Sequence, residues 1–496
     1  MRTAYGVETV RAAERELMAR LPEGALMQRA AAGLAVVCAD VLGRVSGRVY
    51  GSRVVLLVGS GDNGGDALYA GARLARRGAG VRAVLLAPGR AHSSGLAALL
   101  RAGGRVVDAG GGIGAVEQAD LVVDGIVGIG GKGGLRPDAV PLAEAAERGR
   151  GVVVAVDLPS GVDADTGEVR GRALRADLTV TFGAYKPGLL IDPAREYAGA
   201  VRLVDIGLEV GERGQGEGRV EARVEALQHA DVARLLPVPA AESDKYRRGV
   251  VGVAAGSARY PGAAVLAVAG ALRGGAGAVR YVGPAGEAVI ARHPETLVSD
   301  RGPKHAGRVQ AWVVGPGAGD DAATVGEVLA ADVPVLIDAD GLRLAEVGAV
   351  RGRRAPTLMT PHAGEAAALL GVEREEVEAG RLAAVRELAG RYGATVLLKG
   401  STTLVASAGG DGAGDGAGVV RVNPTGTPWL ATAGSGDVLS GLGGSLLAAG
   451  LSAVDAGSVA AYLHGLAGRF AAEGAPVTAE DVAGRIAEAW RSVVLG

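Results

Sequence analysis

The sequence predicts an α/β protein made of two units, each built around a mainly parallel sheet. Three observations carry that expectation. Short apolar, β-branched runs alternate with Ala-rich stretches of helical length along the whole 496-residue chain. Most of these runs are apolar on both faces and end in a Gly or Asp turn, as buried parallel strands do. One glycine-bearing segment of alternating charge, EVGERGQGEGRVEARVE at 209–225, has no apolar core run; it reads as a linker, or a linker plus an edge strand, and divides the chain near 216–226.

In the first half, strands are expected at 54–58, 81–86, 121–123 and 152–156. The helix expected at 25–37 (ALMQRAAAGLAVV) is apolar on more than one face and suits packing on a sheet or on a partner subunit. After the strand at 54–58 comes the glycine turn GSGDNGGDA (59–67), with a helix expected at 68–77. Strand, glycine turn and helix N-terminus form an arrangement suited to dinucleotide phosphates. Asp62, Asn63 and Asp66 lie inside the turn, and their oxygens suit a cation or a hydroxyl-rich group as well. Asp124 ends one strand and leads into GIVGIGGKGG (125–134); Asp157 ends another and is followed by Pro159 and Ser160. Strand ends line one crevice in an open parallel sheet, so Asn63, Asp124, Asp157 and Ser160 are expected to converge. Taken singly, each of these aspartates is equally well read as a cap or turn former.

In the second half, strands are expected at 250–255, 311–314, 333–337 and 395–398, and the insert AGGDGAGDGAG (408–418) reads as a hairpin tip. Asp338 and Asp340 follow a strand and suit ribose, Mg²⁺ or water, or a turn cap. His362, in TPHAGEAAALL, is read either as a helix cap or as a hydrogen-bond donor to substrate. TAGSGDVLSG (432–441) is the most informative segment. It sets the backbone N–H groups of Gly434, Ser435 and Gly436 at a helix N-terminus, where unpaired donors and the helix dipole favour an anion. Asp437, beside that anion hole, is repelled by phosphate and reads as a base taking a proton from a hydroxyl while a phosphoryl group is held.

Composition narrows the remaining classes. The formal net charge of −2 offers no basic field for nucleic acid, and the single cysteine, Cys38, excludes a disulfide framework and a Cys-based metal site. No apolar run approaches 18 residues and no signal pattern opens the chain, so a soluble, cytoplasmic protein without membrane partners is expected.

DNGGD (62–66), the run from Asp124 through GIGGKG, AVDLPSG (155–161) and TVTFGAYKPG (179–188) resemble the YjeF N-terminal domain, an NAD(P)H-hydrate epimerase. KYRRG (245–249), AGSARYPGAA (255–264), VGPGAG (314–319), DADGL (338–342), TPHAGE (360–365), KGS (399–401), NPTG (423–426) and GSGD (434–437) resemble the ribokinase-like NAD(P)H-hydrate dehydratases. The resemblance implies a Rossmann-like three-layer α/β/α domain at 1–215, a linker at 216–226 and a ribokinase-like α/β domain at 227–496. It implies epimerisation of R- and S-NAD(P)H-hydrate (NADHX and NADPHX), and dehydration of the S form with ADP or ATP by phosphorylating the C6 hydroxyl and eliminating phosphate. It assigns Asp62, Asn63, Gly64, Gly65, Asp66, Gly128, Ile129, Gly130, Gly131, Lys132, Gly133, Gly134 and Asp157 to the epimerase substrate, and Asn63, Asp124 and Ser160 to potassium. Asp157 is the expected epimerase base, with Lys186 either its partner acid or a phosphate holder. Ala263, Gly317, His362 and Asp437 fall to the dehydratase substrate; Lys399, Gly400, Ser401, Thr402, Thr403 and Gly436 fall to the nucleotide. Mg²⁺ is expected with the nucleotide, and a homo-oligomer is expected. Family members commonly read NNGGDG where this chain has DNGGDA, with Asp62 for Asn and Ala67 for Gly. Two alternatives stay open: a vitamin-precursor hydroxymethyl kinase in the second half, and a non-catalytic binding or dimerisation module in the first.

Overall fold

The computed structural model describes residues 1–210, 224–408 and 418–495. The chain forms two compact units, Thr3–Arg223 and Val224–Gly496, the latter joined by Met1–Arg2. Most of the expected linker lies outside the described residues, but 224–226 does not belong to it: Val224–Ala226 is a buried strand of the second unit's sheet, pairing with Val420–Asn423.

The first unit holds a seven-stranded sheet in the order Arg105–Val107, Gly80–Leu85, Arg53–Val58, Leu121–Gly125, Val152–Val156, Leu178–Phe182 and Ala200–Val204. Every pairing is parallel. Alternation along Arg53–Val58 explains the continuous apolar run. Val54, Leu56 and Val58 join a core with the helices Ala25–Ser46, Asp62–Arg76 and Ser93–Arg101, while Val55 and Leu57 join another with Ala109–Glu117 and Val140–Arg148. This is the expected three-layer α/β/α arrangement. Ala25–Ser46 is long and apolar enough to cross a membrane, yet Leu34, Val37, Cys38 and Leu42 pack on the sheet, so it is a core helix here, with Val36 and Val45 exposed. The strand order reverses between Arg53–Val58 and Leu121–Gly125, which opens the crevice where ligands of such sheets bind.

The glycine turn departs from expectation. Its helix begins at Asp62 rather than at 68, so DNGGD is the helix's first turn. Gly61, in extended conformation, precedes it, and Gly59 makes the turn possible: a Cβ there would lie 1.9 Å from the Ile126 carbonyl oxygen. Ala67 is accommodated because Gly125 faces it, a Cβ on Gly125 falling 2.8 Å from that of Ala67.

In the second unit's sheet, the strands Thr395–Leu398, Thr357–Met359, Val335–Ile337, Ala311–Val314, Val250–Ala254, Ala278–Val282 and Leu297–Ser299 neighbour one another in that order, all parallel. Thr403–Ser407 and Val420–Asn423 extend it antiparallel beyond Thr395–Leu398. Residues 409–417 of the expected hairpin tip lie outside the described residues. The helices Pro261–Arg273, Ser435–Ala448, Ala453–Ala472 and Ala479–Leu495 share one apolar cluster with the central strands. Small residues let two of them approach backbone to backbone: a Cβ on Gly441 would lie 1.9 Å from the Ala267 carbonyl oxygen, and one on Gly270 2.1 Å from that of Val438.

Candidate active sites

In the first unit, the crevice beside Leu121–Gly125 gathers three of the expected residues. Asp124 is fully buried; its Oδ1 accepts from Ser160 Oγ (2.6 Å) and the Ile126 N–H (3.2 Å), and its Oδ2 from the Ser160 N–H (2.7 Å). Burial pushes its carboxyl up to about 6 against those hydrogen bonds. Ser160 Oγ accepts in turn from the Val127 N–H at 3.0 Å, and Asn63 Nδ2 donates to the Val156 carbonyl at 2.5 Å. Asn63 Oδ1 faces Gly128, where a Cβ would lie 2.4 Å from it. Amide, carboxylate and hydroxyl oxygens around one buried, imperfectly compensated charge fit an oxygen-liking alkali cation.

Asp157 adopts φ 65°, a left-handed conformation that costs a non-glycine residue roughly 1–3 kcal/mol and concentrates at functional sites. Its Oδ1 pairs with Lys186 Nζ and accepts from Thr181 Oγ1 (3.0 Å) and the Phe182 N–H (3.2 Å). Lys186 is 1% exposed, and its ammonium also reaches Thr181 Oγ1 (3.0 Å) and the Phe182 carbonyl (3.3 Å). A lysine so enclosed is Asp157's partner and is poorly placed to hold a phosphate. Buried Asp66 lies nearby: burial first, then Asp157, Asp62 and Glu14, hold its carboxyl well above the usual range, and its Oδ1 has no hydrogen-bond partner among the described residues. Glu14, from the helix Val7–Met18, is likewise raised by burial, against the pull of Lys186.

In the second unit, three neighbouring strands end in site residues: Val335–Ile337 in Asp338, Thr357–Met359 shortly before His362, and Thr395–Leu398 in Lys399. Gly434 (φ 86°) caps the helix Ser435–Ala448. The anion hole is narrower than expected, because the Ser435 N–H turns to the Thr432 carbonyl (3.4 Å). Among the described residues the N–H groups of Gly434 and Gly436 remain without an acceptor. Asp437 sits in this first turn, and burial, then Asp338, push it up to about 7 against the pull of Lys399. Lys399 is held in its charged form: burial opposes that, but Asp338 (2.7 Å), Glu365 (3.6 Å) and Asp437 outweigh it.

His362 is a cap. Its Nδ1 accepts from the N–H groups of Gly364 (3.0 Å) and Glu365 (3.1 Å), while Glu365 Oε2 accepts from the His362 N–H at 2.7 Å. The ring is exposed, with Nε2 at 3.6 Å from Glu365 Oε1. Ala263 and Gly317 are adjacent: Gly317 has φ 60°, and a Cβ on it would lie 2.8 Å from that of Ala263. Asp340 caps the glycine loop, its Oδ2 accepting from the Gly319 N–H at 2.8 Å.

Two families match the chain: YjeF-related protein N-terminus over residues 23–188 and NAD(P)H-hydrate dehydratase over residues 251–488. The chain is 49% identical over 462 residues to the bifunctional NAD(P)H-hydrate repair enzyme Nnr of Mycobacterium tuberculosis, covering 92% of this chain and 91% of that one. It is 48% identical to the enzyme of the same name from Mycobacterium leprae, covering 95% and 94%. The chain belongs to the bifunctional NAD(P)H-hydrate repair enzyme family. Among solved structures, the ADP/ATP-dependent NAD(P)H-hydrate dehydratase from Bacillus subtilis, co-crystallized with ATP/Mg²⁺, is 28% identical, covers 54% of this chain and 97% of its own, and has a TM-score of 0.47.

Within this repair-enzyme chain, several further residues near the sites take their roles from partners distant in sequence. Arg381 is buried against Gly400, and its guanidinium donates to the carbonyls of Lys399 (3.0 Å) and Thr402 (3.2 Å), shaping the KGSTT turn from 18 residues upstream. Ser440 bridges Asp338 (2.6 Å) and the Gly436 carbonyl (3.0 Å). His464 sits behind the anion hole, bonded to the Ser435 backbone and pulled down to about 4 by burial, so it is neutral. Glu14 enters the first site from the N-terminal helix. Only its place at an amphipathic helix position marked it, and that reads as surface.

Proposed function

We propose that the chain is a two-site repair enzyme. The first unit interconverts R- and S-NAD(P)H-hydrate, and the second returns the S form to NAD(P)H with ADP or ATP as phosphoryl donor. In the second site, Asp437 takes the proton of the C6 hydroxyl, whose oxygen attacks the terminal phosphorus. The bond to the leaving nucleotide breaks, and loss of phosphate with a C5 proton then restores the 5,6 double bond. The N–H groups of Gly434 and Gly436 hold the transferring phosphoryl; the turn at Lys399, Gly400, Ser401, Thr402 and Thr403 holds the nucleotide, with Mg²⁺ entering on its phosphates. Ala263, Gly317 and the His362 Nε2 line the hydrate's side. The observation that carries this reading is Asp437, a carboxyl raised to about 7 in the same helix turn as two N–H groups that have no acceptor among the described residues.

In the first site, Asp157 is the base and Lys186 its partner; the helix turn 62–66 and the loop 128–134 bind the dinucleotide. Potassium held by Asn63, Asp124 and Ser160 would offset the buried Asp124 charge and fix the start of that loop. The test is to incubate the protein with acid-hydrated NADH, Mg²⁺ and ADP or ATP and to follow absorbance at the dihydronicotinamide band. Full recovery from an R/S mixture is expected, and Asp437→Asn should lose roughly 10²–10⁴-fold in turnover while still binding nucleotide. No recovery, with a hydroxymethyl vitamin precursor phosphorylated instead, would make the second unit a small-molecule kinase.

A further inference from the structure

We propose that Asp338 is a positioning residue of the second site, fixing the Lys399 ammonium beside the Gly434–Gly436 turn, between the transferring phosphoryl and the base. The proposal rests on the dehydratase reading. Asp338 is 1% exposed, and its two oxygens serve two different elements. Oδ1 accepts from Lys399 Nζ at 2.7 Å; Oδ2 accepts from Ser440 Oγ at 2.6 Å, and that hydroxyl lies 3.0 Å from the Gly436 carbonyl. A Cβ built on Gly436 would lie 3.5 Å from Lys399 Nζ and 3.8 Å from Asp338 Oδ2. One carboxylate therefore ties the end of the nucleotide-binding strand to the first turns of the helix that carries Asp437. Buried and bonded through both oxygens, it serves these two elements directly, whatever it also offers to ribose or Mg²⁺.

Lysine is a point charge on a flexible stem, and its usefulness depends on where it is held. Held here, it meets the negative charge on the phosphoryl oxygens as the C6–O bond to phosphorus forms and the leaving nucleotide takes its bonding electrons. Without Asp338, the carboxylates left to Lys399 are Glu365 and Asp437, and a closer Lys399–Asp437 pair would ionise the base too easily. The charged groups facing Asp437 are Asp338 on one strand end, Lys399 on another and Glu365 on the helix Ala363–Leu370; His464, behind Ser435, is neutral.

The experiment compares the full-length wild type with Asp338→Asn and Asp338→Glu on pure S-hydrate with saturating magnesium nucleotide, as pH profiles of kcat alongside nucleotide KM. Asp338→Asn keeps an acceptor for Ser440 but removes the charge. It should lower kcat by about 10–100-fold, with a smaller rise in nucleotide KM because Lys399 also belongs to the nucleotide-holding turn. It should also move the acid limb of kcat to lower pH, since one opposing carboxylate no longer resists ionisation of Asp437. Asp338→Glu should restore the limb and part of kcat. An Asn variant with wild-type kcat and limb overturns the proposal. So does a loss of kcat with an unmoved limb, a lowered Tm and no rescue by Glu, which is what a purely structural residue would give. A wild type without repair activity overturns the dehydratase reading and this proposal with it, whereas an active wild type beside an unaffected variant overturns this proposal alone.

Discussion

Asp437 shows how a single carboxyl is tuned by residues far away in sequence. Its position is legible from the GSGD turn, but its proton affinity comes from burial and from Asp338 and Glu365, which only the sheet brings near. Nothing local marks Arg381, and Ser440, although inside TAGSGDVLSG, takes its role from Asp338, which is distant in sequence. The raised affinity has a consequence for stability. A carboxyl held near 7 in the folded chain, against about 4 when unfolded, favours folding relative to the unfolded reference only while protonated. That contribution is complete below the unfolded value and is lost as pH rises through about 7. At alkaline pH the wild type therefore carries an unfavourable buried charge that Asp437→Asn lacks. We expect the variant to be inactive yet to melt higher than wild type at alkaline pH, with the gap closing in mildly acidic buffer; paired thermal melts at the two pH values check this. A variant melting lower at alkaline pH would show that the carboxylate is stabilised by contacts that outweigh its burial.

At the level of elements, strands were easier to read than helix starts. The strands 311–314 and 395–398 match Ala311–Val314 and Thr395–Leu398, because buried parallel strands leave an unbroken apolar run with sharp ends. The helix Asp62–Arg76 starts earlier than expected because the four glycines of GSGDNGGDA read as a loop, whereas two of them sit inside the helix. Backbone leaves no room for a side chain at Gly64, where a Cβ would lie 2.5 Å from the Gly59 carbonyl oxygen; at Gly65 a Cβ would lie 3.0 Å from the flexible Met27 thioether, which can give way. The same logic separates glycines that a composition rich in them cannot. Gly441→Ala gains up to about 1 kcal/mol of helix propensity but drives a Cβ into the Ala267 carbonyl, and overpacking of that kind costs about 1–3 kcal/mol. Gly390, exposed within the helix Arg381–Tyr392, has open space around its missing Cβ. Gly441→Ala should lower Tm and Gly390→Ala should raise it modestly. Equal shifts would mean that the two helices tolerate separation at Gly441.

For the whole molecule, the division into two units is the feature the sequence displayed best, since 209–225 lacks any apolar run while both flanks alternate regularly. Of the two readings of that segment, linker alone or linker plus edge strand, Val224–Ala226 bears out a strand; what three residues could not display is that it pairs with Val420–Asn423 in the second unit's sheet. Each unit has its own sheet, its own reversal of strand order and its own proposed catalytic aspartate, and every partner of Asp157 named above comes from Thr3–Arg223. The two chemistries should therefore separate by mutation within one intact chain. Asp157→Ala is expected to abolish R-to-S conversion while leaving turnover of pure S-hydrate at the wild-type rate. Stability needs a control, because the substitution strands the buried Lys186 without its counter-charge, and breaking such a pair typically costs about 3–5 kcal/mol. Asp157→Asn, which keeps acceptor geometry, and Asp157→Ala/Lys186→Met, which removes both charges, bracket that cost. If both variants fold, dehydrate S-hydrate normally and fail to consume the R isomer, Asp157 acts chemically in the first site. R-isomer consumption at the wild-type rate by folded Asp157→Ala would remove Asp157 from the epimerisation and leave its left-handed backbone and lysine pair as features of the fold alone.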